Sequence, residues 1–181
     1  MFNRIVKVGS CVIALALPVL AQDAVPRKAP SVTLAPVPLT NVTRGRANNV
    51  DLQFRVGGGF HINSNQPSEE YLIPTSLKVD PPTDIAIGKI TYPPGHEMSF
   101  AFAPEEKISV YTGDFTVSVS VRPLASVIPS KYEVRGTLKY QACDNAACYP
   151  PKTLPVQFEV KVVKAPPAKN KNPAQSPHVH S

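Results

Sequence analysis

Apolar and polar residues alternate with a period of two along most of the chain. Val50, Leu52, Phe54 and Val56 are separated by Asp51, Gln53 and Arg55, the pattern of a strand buried on one face. Gly57-Gly58-Gly59 interrupts it, and Phe60 to Asn63 resumes. Ile108 and Val110 open another strand, which Thr112-Gly113-Asp114 turns. Phe115, Val117, Val119 and Val121 alternate with Thr116, Ser118 and Ser120. Tyr132, Val134, Leu138 and Tyr140 do the same, and Val156, Phe158, Val160 and Val162 close the series. Leu77–Val79 and Ile85–Tyr92 are shorter candidates. No window of ten or more residues keeps a helical period without a proline, and 21 prolines argue against long helices. Seven or so short strands separated by turns predict an all-β fold, an antiparallel β-sandwich of the immunoglobulin-like kind.

The ends read differently. Arg4 and Lys7 precede an apolar run of 13 residues from Val8 to Leu20, and Val19-Leu20-Ala21 offers small residues where a signal peptidase reads. This is the pattern of a secretory signal peptide over 1–21, cleaved near Ala21. The run is too short for a spanning helix, which needs roughly 20 residues. Cys11 is expected to leave with it. Residues 22–39 read as an extended Pro-rich leader, 40–164 as the β-sandwich domain, and 165–181 as a disordered Pro-, Lys- and Asn-rich tail. A domain of this length buries an adequate core by itself.

Export changes the charge and the cysteine count. Losing 1–21 removes two of the 19 basic residues and none of the 13 acidic ones, so the net charge falls from +6 to about +4. The remaining charge is spread out with no basic helix, which is no basis for nucleic-acid binding. No further apolar run is long enough to cross a bilayer, so the exported chain is expected to be periplasmic and not membrane-spanning. Three cysteines become two. In an oxidising compartment, Cys143 and Cys148 are each other's default partner. No metal is expected, because His61, His96, His178 and His180 are not spaced as a ligand set.

The segment from Tyr140 to Pro151 lies between two clear strands and predicts a hairpin tip, with Asp144-Asn145 as turn residues. Four intervening residues would set Cys143 opposite Cys148 at a separation a disulfide can span. The apolar residues of the incoming strand have even numbers, so odd Cys143 points away from the core and the pair is expected to be accessible. Closing a loop of about six residues stabilises by only about 2 kcal/mol, and a short exposed disulfide suits exchange chemistry. Two readings stand at this point, an exchange-active pair and a plain structural staple.

The motif residues also carry a resemblance. Tyr140-Gln141-Ala142-Cys143 followed by Cys148-Tyr149-Pro150-Pro151, together with Gly59-Phe60-His61-Ile62-Asn63, Pro74-Thr75-Ser76-Leu77 and Tyr92-Pro93-Pro94 to Glu97, resemble the amino-terminal periplasmic domain of the thiol:disulfide interchange protein DsbD. The likeness spans roughly residues 40–163. It implies an immunoglobulin-like fold and a redox-active disulfide with no other cofactor. It further implies that Cys148 forms mixed disulfides with partners and that Cys143 resolves them. The implied partners are the thioredoxin-like domain of a membrane electron transporter and oxidised periplasmic thiol proteins, including cytochrome c maturation factors. A cap loop near Gly95–Glu105 would shield the sulfurs with Phe100, or with Phe102 as a second candidate. Tyr140 and Tyr149 flank the pair, as packing around the sulfurs or as ordinary core and rim aromatics.

Three departures bear on this reading. The chain has four residues between its cysteines, one fewer than the best-studied member of the family. Met98 and Ser99 stand where acidic residues precede the family's cap aromatic, so no acid–base role transfers to them. The membrane and thioredoxin-like domains of full-length DsbD are absent from this sequence, so the expectation is that the chain works as a separate shuttle or uses partners encoded elsewhere. The rival reading is a non-catalytic secreted β-sandwich binding module with a structural disulfide. A metal-handling role for the thiols lacks the accompanying methionine or histidine cluster.

Overall fold

The computed structural model describes residues 29–100 and 103–166. The expected signal peptide, Phe102 and nearly all of the expected tail lie outside the described residues.

Long alternating runs form the central strands. The first sheet has the order β1 (Val32–Leu34), β3 (Asn48–Val56), β9 (Asp114–Pro123), β6 (Ile85–Thr91). The second has β2 (Thr40–Thr43), β12 (Lys152–Val163), β10 (Lys131–Tyr140), β5 (Ser76–Asp80). All pairings are antiparallel except β2 with β12, which is parallel. Val50, Leu52, Phe54 and Val56 of β3 and the odd-numbered valines of β9 are buried, as are Val134, Leu138, Val156, Phe158 and Val160 from the second sheet. They join one core. Each such side chain withdrawn from water contributes roughly 1.5–3 kcal/mol. The described residues contain no helix, and the architecture is the expected immunoglobulin-like sandwich.

A third, smaller sheet closes one end, in the order β11 (Ala142–Cys143), β4 (His61–Asn63), β8 (Ala103–Tyr111), β7 (His96–Phe100). Its strands do not show one wet and one dry face. His61, Ile62 and Asn63 are all buried, as are Ile108 to Tyr111. One face, with Ile62, Tyr111 and Ala142, belongs to the main core. The other supports a second cluster of Leu72, Phe100, Ile108 and Val110.

Hydrogen bonds make one scaffold of motif pieces that lie far apart in sequence. The Thr75 hydroxyl donates to the Asn63 carbonyl at 2.6 Å, and the Asn63 side-chain amide donates to the Ile73 carbonyl at 3.0 Å. The Leu77 N–H donates to the Tyr92 hydroxyl at 2.7 Å, and the Tyr111 hydroxyl lies 3.0 Å from the Pro93 carbonyl. The first two of these bonds hold β4 in place between the two clusters.

Candidate functional site

The site starts at the turn that delivers β4. Gly59 sits at φ +85, a conformation open to glycine at little cost. The Phe60 N–H closes onto the Gly57 carbonyl at 3.2 Å. This tight reversal places Phe60 beside the cysteine turn and starts β4 at His61. β11 pairs antiparallel with β4, so Cys143 lies directly opposite His61 and Ala142 opposite Ile62.

After Cys143 the chain turns within four residues, and Cys143 and Cys148 face each other as an antiparallel bridge. Their disulfide is formed, with the Cα atoms 3.9 Å apart. Asp144 organises the turn. Its Oδ1 accepts the Ala146 and Ala147 N–H groups at 2.8 and 2.9 Å, and its Oδ2 accepts the Tyr149 hydroxyl at 2.7 Å. The Tyr149 N–H returns to the Ala142 carbonyl at 2.9 Å, and its ring meets Phe60 edge-on at 5.8 Å. Tyr140, by contrast, is a member of the main core. The two flanking tyrosines therefore divide, one packing the sandwich and one bracing the turn.

The sulfurs are not equivalent. Cys148 is exposed, whereas Cys143 is 1% exposed. The expectation that the whole pair is accessible is corrected for Cys143. The phase argument itself holds, since Ala142 joins the main core and Cys143 does not. What it missed is the second layer. Cys143 and His61 share the face of the small sheet on which Phe100 lies. The Phe100 ring stacks on the His61 imidazole at 4.0 Å between centroids and 15° between planes.

Phe100 is itself 5% exposed and ends β7. The segment expected as a cap loop is thus a strand-paired hairpin of β7 and β8, with Phe100 opposite Ala103. Extended strands carry the aromatic over β4, which an irregular loop would do less rigidly. Phe102 lies outside the described residues.

Burial holds His61 below the usual histidine pKa, and the nearby Asp144 carboxylate opposes that shift. Both effects act at the same end of the molecule as the disulfide. His61 was legible only as part of a motif, because nothing in the strand period tells which residue will sit opposite a cysteine. Among the described residues, no group of three or more His, Cys, Asp or Glu side chains could hold a metal. No helix among them is long and apolar enough to cross a membrane.

Fold and site together define an immunoglobulin-like domain built around one turn disulfide. Residues 33–160 match the family described as the N-terminal domain of the thiol:disulfide interchange protein DsbD, and the chain belongs to that family. The family's domain is periplasmic and works through a cysteine disulfide. A search of curated proteins finds no match. Among solved structures, the reduced DsbD N-terminal domain of Neisseria meningitidis is 22% identical, with 65% of this chain and 80% of that one covered and a TM-score of 0.37. A complex of the DsbD and PilB N-terminal domains from the same organism gives 21% identity, 61% and 73% coverage and a TM-score of 0.38. The fimbrial subunit AggA of Escherichia coli gives 10% identity, 75% and 95% coverage and a TM-score of 0.32.

Proposed function

We propose that this chain is an exported electron carrier that reduces periplasmic disulfides through Cys148 and Cys143. A Cys148 thiolate attacks one sulfur of the acceptor's disulfide. The acceptor's other sulfur leaves as a thiolate, and a mixed disulfide remains. Cys143 then attacks the Cys148 sulfur, closing the internal disulfide and releasing the second acceptor sulfur. Two electrons pass to the acceptor, and two thiols of this chain become one disulfide. The thioredoxin-like domain of a membrane electron transporter recharges the pair by the reverse steps. Acceptors are oxidised exported thiol proteins, among them cytochrome c maturation factors, and the signal over 1–21 takes the chain to them.

The observation that supports these roles is the asymmetry of exposure, because an incoming disulfide must reach the attacking sulfur in line. Cys148 is exposed and is followed by Tyr149-Pro150-Pro151, which lie outside any strand. Cys143 is buried and strand-paired. Family membership supports the chemistry.

The test is trapping in the native compartment. Cys143→Ala should accumulate a mixed disulfide on Cys148, visible on a non-reducing gel and identified by mass spectrometry, while Cys148→Ala should accumulate little. Equal trapping by both, or trapping through Cys143 alone, reverses the roles. No adduct with either variant supports a structural staple in a non-catalytic binding module.

A further inference from the structure

We propose that His61 is the proton-exchanging residue of Cys143: it takes the thiol proton as Cys143 attacks the mixed disulfide and returns it to the departing sulfur. The inference rests on the exchange reading above, and it concerns the half of the reaction in which the buried sulfur must act.

The geometry carries it. Cys143 and His61 are directly opposed residues of antiparallel strands, and side chains so placed project to the same face with Cβ atoms about 4.5–5.5 Å apart. Cys143 is 1% exposed and His61 4% exposed. Water therefore has little access to the thiol, while the nucleophile must be a thiolate. A base has to come from the protein. Phe100, stacked on the imidazole, holds the ring in one plane against the strand.

The groups facing His61 narrow the choice. Phe100 of β7 stacks on its ring and Asp144 of the cysteine turn acts on it through charge, while Asn145, Met98, Phe60 and Thr112 line one open cavity with it. Asp144 is the charged one, and it already accepts the Ala146 and Ala147 N–H groups and the Tyr149 hydroxyl. Its negative charge disfavours a thiolate beside it but favours an imidazolium. Burial favours the neutral imidazole, the form that can accept a proton. As the proton crosses, thiol and imidazole become thiolate and imidazolium. Attack on Cys148 forms the Cys143–Cys148 bond and breaks the bond to the partner sulfur. That sulfur leaves as a thiolate and takes the proton back, so charge and protons balance.

The sign of the pH dependence follows. A histidine base is effective above its own pKa and is lost as pH falls through it. An unassisted thiol instead gains thiolate about tenfold per pH unit up to its ordinary pKa of about 8.5.

The experiment uses the reduced full chain and one equivalent of dithiodipyridine, an aromatic disulfide whose released thione absorbs in the ultraviolet. The first thione reports attack on the reagent and the second reports resolution by the other sulfur. The reagent reads the sulfur pair even in a chain that never meets a physiological acceptor, so this idea and the exchange reading can fail separately. In His61→Gln the second release should slow at least tenfold at pH 6.5 and recover steadily with rising pH, whereas the native chain levels off. The first release should change less than twofold. His61→Phe keeps an aromatic ring against Phe100 and should match His61→Gln. A native rate and profile in His61→Phe would mean the ring only packs. Slowing of both variants by one factor at every pH would overturn the proposal equally.

Discussion

Phe100 does two jobs with one ring. It fills the second cluster with Leu72, Ile108 and Val110, and it covers the imidazole opposite Cys143. Truncation should uncover the small sheet while leaving the main core, which it does not join, intact. In the reduced chain, Phe100→Ala should speed alkylation of Cys143 by iodoacetamide several-fold, read by mass spectrometry of the modified peptide. Cys148 is already exposed and should react at nearly its native rate. An unchanged Cys143 rate would mean that other groups supply its shelter. Phe100 was legible from the sequence as an aromatic in the family's cap segment. Its partner His61 was not, because the contact joins two strands brought together only by the register of β4 against β8.

Among elements, the long strands were read correctly except β8, expected only from Ile108 onward because its first residues fell in the expected cap loop, and the strands missed outright share a position. β1, β2, β7 and β11 all stand at the edge of their sheets. Edge strands are often kept short because one side of the backbone meets no partner, and these four, of two to five residues, are too short to display a period. β2 buries Val42 alone among its four residues. β1 lies inside the stretch expected to be an extended leader, where it pairs with Val56, Arg55 and Phe54 of β3. Prolines around it are compatible with an edge. A different constraint falls on the interior strand β10. A Cβ on Gly136 would come within 2.4 Å of the Lys78 carbonyl oxygen of β5, a backbone atom that cannot swing aside. Gly136→Ala should therefore push β5 away from β10 and cost on the order of 1–3 kcal/mol. Chemical denaturation measures it, with Lys139→Ala, an exposed position on the same strand, as a control expected within about 0.5 kcal/mol of native.

At the scale of the molecule, the disulfide lies at one end of a sandwich whose main core cluster does not include it. It closes a span of five positions. A loop that short constrains the unfolded chain by only about 2 kcal/mol, against a core drawn from both main sheets. The reduced chain should keep its β-sheet circular dichroism and a cooperative melt, with Tm lower by roughly 5–10 °C. Collapse on reduction would mean that the bond supports the whole domain, as a staple does. Survival is what a carrier requires, since it must stay folded in both redox states to meet donor and acceptor through the same surface.

The sequence by itself determined the class of fold, because period two over long runs decides which residues can be buried together whatever the connections. It also determined the disulfide, since four intervening residues with turn-forming Asp144-Asn145 bring Cys143 and Cys148 face to face locally. Even the direction of Cys143, away from the main core, followed from phase. Its burial did not. The face opposite a core is wet only if nothing else lies over it, and here the β7–β8 hairpin brings a second hydrophobic layer from more than thirty positions upstream. Alternation records which side of a strand a residue occupies; only the packing of distant strands decides whether that side meets water, and so which of two neighbouring sulfurs a partner can reach.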